Sequence, residues 1–182
     1  MEAKIAYHCA PALAGIKPAN IVNVPKSVSV DIHSEIEKLN GKMNVKDIFF
    51  EIIFECEKRI ILMVYRRELL EKTLSEKAIK CFLCSFGYPH QVTVEGHIAF
   101  LRERLKNREF PHEIGAFLGY PIHDIQGFLY QKDEGCLLCG EWKVYKNPEK
   151  AKLLFKRFEA CRSALVRRVM RGESLQQIFC AA

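Results

Sequence analysis

Two runs rich in Ile, Phe, Val and Tyr, from Asp47 to Phe54 and from Ile60 to Tyr65, flank the polar cluster Glu55-Cys56-Glu57-Lys58-Arg59. Such side chains suit a pleated, largely buried surface, and a short polar gap between them suits a turn. The pattern therefore predicts two antiparallel strands joined as a hairpin. A single buried helix is the rival for the first run, because a short apolar block does not settle the period.

The remaining periodicity is mainly helical. Ile32, Ile36 and Leu39 recur at helical spacing between Asp31 and Asn40, with Gly41 placed to stop the helix. Leu69, Leu70, Leu74, Ala78, Ile79, Phe82 and Leu83 mark one helix from Glu68 to Phe86, and Ile98, Leu101 and Leu105 mark another from Val94. Gly87-Tyr88-Pro89 and Gly119-Tyr120-Pro121 each follow an apolar helical stretch, with Gly suited to end one element and Pro to start the next. Trp142 and Val144 alternate with Glu141, Lys143 and Tyr145, which predicts a last strand through Cys139–Tyr145 that joins the hairpin sheet. Asn147-Pro148-Glu149 opens a basic helix running to about Arg171, with Leu153, Leu154, Phe158 and Leu165 facing inward, and a short helix follows over Ser174 to Phe179. The segment Tyr7–Asn20, with two prolines and a glycine, reads as a short helix or turn feeding a compact loop. With 182 residues, 49% of them hydrophobic, the chain can bury a core unaided. The expected architecture is one α+β domain over residues 1–182, a small, mainly antiparallel sheet covered by several helices.

The longest apolar stretch, Ile48 to Val64, is broken by Glu51, Glu55, Glu57, Lys58 and Arg59, so no membrane span is expected. The first ten residues carry no apolar block of export-signal length, which points to the reducing cytoplasm and to thiols rather than disulfides. A net charge of +6 attracts anions in general and is too small to imply nucleic acid.

Three blocks carry a family resemblance: His8-Cys9-Ala10-Pro11 through Asn20, Phe110-Pro111-His112-Glu113-Ile114-Gly115 through Pro121, and Gly140-Glu141-Trp142-Lys143-Val144-Tyr145. Together with Val64-Tyr65-Arg66 and Phe158-Glu159-Ala160-Cys161, they resemble domain-of-unknown-function family 3793 along nearly the whole chain. The resemblance implies a small cytoplasmic bacterial protein, mostly of anaerobic Firmicutes, and implies no activity, substrate, cofactor or catalytic residue. Ala12 and Glu141 depart from the family pattern, which commonly has a hydroxyl residue and an aromatic there, and Cys81 and Cys84 lie outside it.

Several constellations bear chemistry. Cys136 and Cys139, two residues apart and followed by Gly140, suit a zinc or iron ligand pair or a redox pair, with His8, Cys9, His112 and Cys161 as distant partners. Cys81 and Cys84 share the spacing but sit in an apolar helical pattern, where Cys acts as a small hydrophobe. Cys9 with His112 and Glu113 supplies the residue types of thiol catalysis, although no protease-type signature surrounds the Cys. Lys17 and Asn20 lie in a Gly- and Pro-containing loop able to hold an anion through its backbone amides; the alternative is a rigid turn with Lys17 in solvent. The basic C-terminal helix (Lys150, Lys152, Lys156, Arg157, Arg162, Arg167, Arg168, Arg171) reads as a solvated face, since no nucleic-acid motif accompanies it. Tyr88, Tyr120, Trp142 and Tyr145, with Lys17, His112 and Arg66, are expected to form a shallow ligand pocket. The leading expectation is a cytosolic accessory protein that binds a small molecule, partner protein, metal or redox cofactor. A thiol-dependent enzyme using Cys9 and a basic nucleic-acid or partner-binding module are the alternatives.

Overall fold

The computed structural model describes residues 1–28, 31–91, 93–107 and 109–180. The predicted hairpin is present: β2 (Phe49–Glu55) pairs antiparallel with β3 (Arg59–Tyr65). A further strand, β1 (Ala19–Pro25), pairs antiparallel with the other edge of β3, so the order is β1-β3-β2. The sequence reading stops its compact loop at Asn20 and misses this strand.

The central strand explains the layering. Met63 and Tyr65 point into one core while Ile60, Leu62 and Val64 point into the other, and all five are at most 2% exposed. A strand buried on both faces reads as an uninterrupted apolar run instead of alternating. The first core is completed by α3 (Arg67–Ser75), α4 (Lys77–Cys84), α5 (Val94–Leu105), α6 (Ile114–Phe117) and α7 (Ile122–Gln131). The second is completed by α1 (Glu2–Leu13), α2 (Ile32–Met43), α8 (Pro148–Met170) and α9 (Leu175–Cys180). The expected α+β class, an antiparallel sheet covered by helices, is what forms.

Four local expectations are corrected. The stretch expected as one helix from Glu68 divides at Glu76, whose extended backbone (ψ 130°) separates α3 from α4. Gly41 does not stop α2, which continues to the fully buried Met43 because that side chain anchors the extra turn in the second core. The last strand does not join the main sheet: β4 (Leu138–Cys139) and β5 (Lys143–Val144) pair only with each other. Leu153 on α8 is 65% exposed, whereas Phe158 and Leu165 are buried as expected. Among the described residues no helix is long and apolar enough to cross a membrane.

Candidate functional site

The site begins at the turn between α1 and β1. Gly15 takes a positive φ of 70°, and the Pro11 carbonyl accepts from both Ile16 N (2.9 Å) and Lys17 N (3.2 Å), folding the chain back over the helix end. Asn20 Oδ1 accepts from Ala12 N at 3.1 Å, and the Arg66 guanidinium donates to the carbonyls of Ala12, Leu13 and Lys46. Arg66 therefore satisfies the terminal carbonyls of α1 and takes no part in the expected pocket. The amides of Ile16 and Lys17 are engaged inside the turn, which leaves the side chains to do any ligand binding.

Lys17 is not in solvent. It is 4% exposed, and its Nζ lies 4.7 Å from the centre of the Tyr120 ring and 5.7 Å from that of Phe158 on α8. No carboxylate among the described residues comes within ion-pairing distance of it. Burial pushes the amine down to about 8; the charge of Glu141 opposes that shift and the charge of Arg162 adds to it.

Lys17, Asn20, His8, Glu141 and Arg162 wall a polar cavity of about 330 Å³. Arg162 reaches it from α8, donating to Tyr7 O at 3.0 Å, to Glu141 at 2.7 Å and to Glu159 at 2.5 Å. Arg162 is thereby ion-paired with both Glu141 and Glu159, whereas Lys17 has no ion pair among the described residues and feels Glu141 only from beyond ion-pairing distance. Burial, with Lys4 and Arg162 nearby, lowers the pKa of His8, so its imidazole is mainly neutral at pH 7.

A second cavity of about 290 Å³ adjoins the first, and Ile21, Leu118, Tyr120 and Glu141 wall both. Its lining is mostly apolar, including Ile114, Ile125, Phe128 and Trp142, with His112 and Lys143 also contributing. Asp124, 2% exposed, fixes this wall: one carboxylate oxygen accepts from Trp142 Nε1 at 2.8 Å, and the other from Tyr145 N at 2.7 Å and Lys146 N at 3.2 Å. Trp142 packs on Tyr120 (4.7 Å between ring centres, 30° between planes), and Tyr120 donates its hydroxyl to Glu141 O at 3.3 Å. Gly127 is required beside it, since a Cβ there would lie 2.3 Å from the Tyr145 ring.

Of the residues singled out in the sequence, Lys17, Asn20, His8 and Tyr120 meet in the polar cavity, and His112, Trp142 and Tyr120 in the apolar one. Tyr88 is a core residue, 3% exposed. Tyr145 packs on α7 and donates its hydroxyl to Lys132 O. Cys9 is fully buried, which pushes its thiol far above the ordinary range, and it is not among the residues that wall the apolar cavity of His112. Glu113, 1% exposed, is ion-paired with Arg104 at 2.8 Å. Cys136 and Cys139 meet, Sγ to Sγ 3.6 Å, and among the described residues no group of three His, Cys, Asp or Glu is placed to hold a metal. Sequence reasoning missed Glu141, Arg162, Asp124 and Phe158 as site residues. Arg162 was hidden in the basic stripe of α8, and only the contact between α1 and α8 turns it inward.

A three-stranded antiparallel sheet with helices on both faces, bearing two neighbouring cavities, one mostly apolar and one charged, defines the class: an α+β protein with preformed cavities of small-molecule dimensions. More particularly, the chain belongs to the family described as protein of unknown function (DUF3793), whose model matches residues 5–179. No curated protein and no solved structure matches it.

Proposed function

We propose that this protein binds a small molecule with an apolar, ring-sized body and an oxygen-bearing head, of which a carboxylate is the simplest form. The observation that carries this reading is Lys17, a buried cation without an ion-paired carboxylate among the described residues, on the wall of a polar cavity that shares Ile21, Leu118, Tyr120 and Glu141 with a mostly apolar one. An ammonium in such a place costs free energy unless a ligand supplies the missing charge. The body of the ligand lies against Trp142, Phe128 and Ile125, and its head meets Lys17 beside Asn20 and Tyr120. Glu141 favours the charged amine from beyond ion-pairing distance and Arg162, paired with Glu141 and Glu159, disfavours it, so neither takes the place of a direct partner for Lys17.

Trp142 is the single tryptophan of the chain and reports occupancy directly. Its fluorescence should change saturably on titration with arylalkanoic acids such as 3-phenylpropanoate at pH 7, and the corresponding amides should bind at least about tenfold more weakly. Lys17→Met should remove that preference for the acid. No saturable change with any acid of the series, or equal binding of acids and amides, would contradict the reading.

A further inference from the structure

We infer that Lys17 is also a nucleophile, forming a reversible imine with a ligand whose head is an aldehyde or ketone. This rests on the binding reading above and deepens it. The Lys17 side chain is 4% exposed, is held between the rings of Tyr120 and Phe158, and has no carboxylate within ion-pairing distance among the described residues. An amine in that setting gains little from remaining charged, and the same burial that lowers its proton affinity keeps its lone pair available near neutral pH. Ile21, Leu118, Tyr120 and Glu141 wall both cavities, and Lys17 Nζ and the Trp142 ring centre each lie 4.7 Å from the centre of the Tyr120 ring, so a body seated against Trp142 is next to the cavity that Lys17 walls.

The reaction balances within the site. The neutral Nζ adds its lone pair to the carbonyl carbon, forming the C–N bond while the C=O π electrons move to oxygen. Transfer of a proton from nitrogen to that oxygen gives the carbinolamine. Loss of hydroxide together with a further nitrogen proton releases water and leaves the C=N bond. The Glu141 carboxylate walls the same cavity but lies beyond ion-pairing distance of Nζ, so it takes part in these proton transfers only through an intervening water. The hydroxyl of Tyr120, pushed up to about 12 mainly by burial, remains protonated throughout.

The test pairs one aldehyde, 3-phenylpropanal, with the acid of the same skeleton on the intact protein. Cyanoborohydride is added to reduce any imine to a secondary amine, and modified peptides are mapped by mass spectrometry. Lys17 should be labelled at least about tenfold faster than any other lysine, the rate should rise from pH 7 to pH 9, and 3-phenylpropanoate should suppress it competitively. Lys17→Arg, which keeps the cation and removes the nucleophile, should lose the fast label. Labelling spread over the surface lysines while the acid still binds in the Trp142 assay would overturn the imine and leave the binding reading standing. Failure of the acid to bind as well would remove both. Because the map is read on the wild-type chain, the outcome does not depend on the variant folding.

Discussion

An ammonium removed from water without a counter-charge weakens the fold that contains it, and Lys17 makes this measurable. Its amine titrates near 8 in the folded chain against 10.5 in the open chain. Below about 8 both states carry the proton and the full desolvation penalty applies. Between those values the unfolded chain binds more protons, so the stability contributed by this group rises with pH, and above 10.5 the penalty is gone. Lys17→Met should therefore be more stable than the wild type at pH 7 by on the order of 3 kcal/mol in urea unfolding, with the gap closing as pH rises through that window. A destabilised Lys17→Met at pH 7 would contradict the absence of a partner for Lys17. Glu113 is the opposite case, a buried carboxylate whose partner Arg104 is in place. Glu113→Ala should cost about 3 kcal/mol in the same assay while leaving carboxylate binding unchanged. Lys17, Asn20, Tyr120 and Trp142 could be picked out in the sequence because polar and aromatic residues beside Gly and Pro corners are conspicuous. The burial of Lys17 could not, because Phe158, which covers it, is 141 positions further along the chain.

The elements divide in the same way. The β2–β3 hairpin, α5 and the start of α8 were legible because each rests on a local device: strand periodicity, a helical apolar stripe, and Asn-Pro-Glu at a helix start. The strand β1 was not, since Asn20, Asn23 and Pro25 break its apolar pattern, and only pairing with β3 makes it a strand. Nor was the break at Glu76, where the chain departs from helical geometry with no Pro or Gly to announce it. The corner at Gly119 was legible and is tightly constrained: it adopts a φ of 69°, and a Cβ there would lie 2.6 Å from the Pro18 ring. Because this corner holds Leu118 and Tyr120 against the Lys17 turn, Gly119→Ala should lower stability by about 2 kcal/mol or more and weaken carboxylate binding with it. The β4–β5 hairpin carries its own test. With Cys136 Sγ 3.6 Å from Cys139 Sγ, a mild disulfide oxidant should link this pair before any other, as read by peptide mapping. The fully buried Cys9 should remain unmodified unless the chain unfolds.

At the scale of the molecule, a sheet covered on both faces leaves its cavities to form where helices from the two layers meet. Lys17 and Arg162 come from the α1 and α8 side, while Leu118 and Tyr120 come from the corner between α6 and α7 on the other. Neither layer alone walls the polar cavity, so the cavity is a product of the whole fold, and its charge arrangement had no counterpart in any short motif. The measurement that reaches the central claim most directly is the titration of Lys17 by NMR of lysine-labelled protein, assigned with Lys17→Arg, in the absence and presence of 3-phenylpropanoate. The account predicts a titration near 8 in the free protein that moves upward when the acid binds, because the carboxylate stabilises the charged form. A free-protein value at the ordinary 10.5, unmoved by the acid, would show that Lys17 is solvated and that the cavity is not the binding site claimed for it.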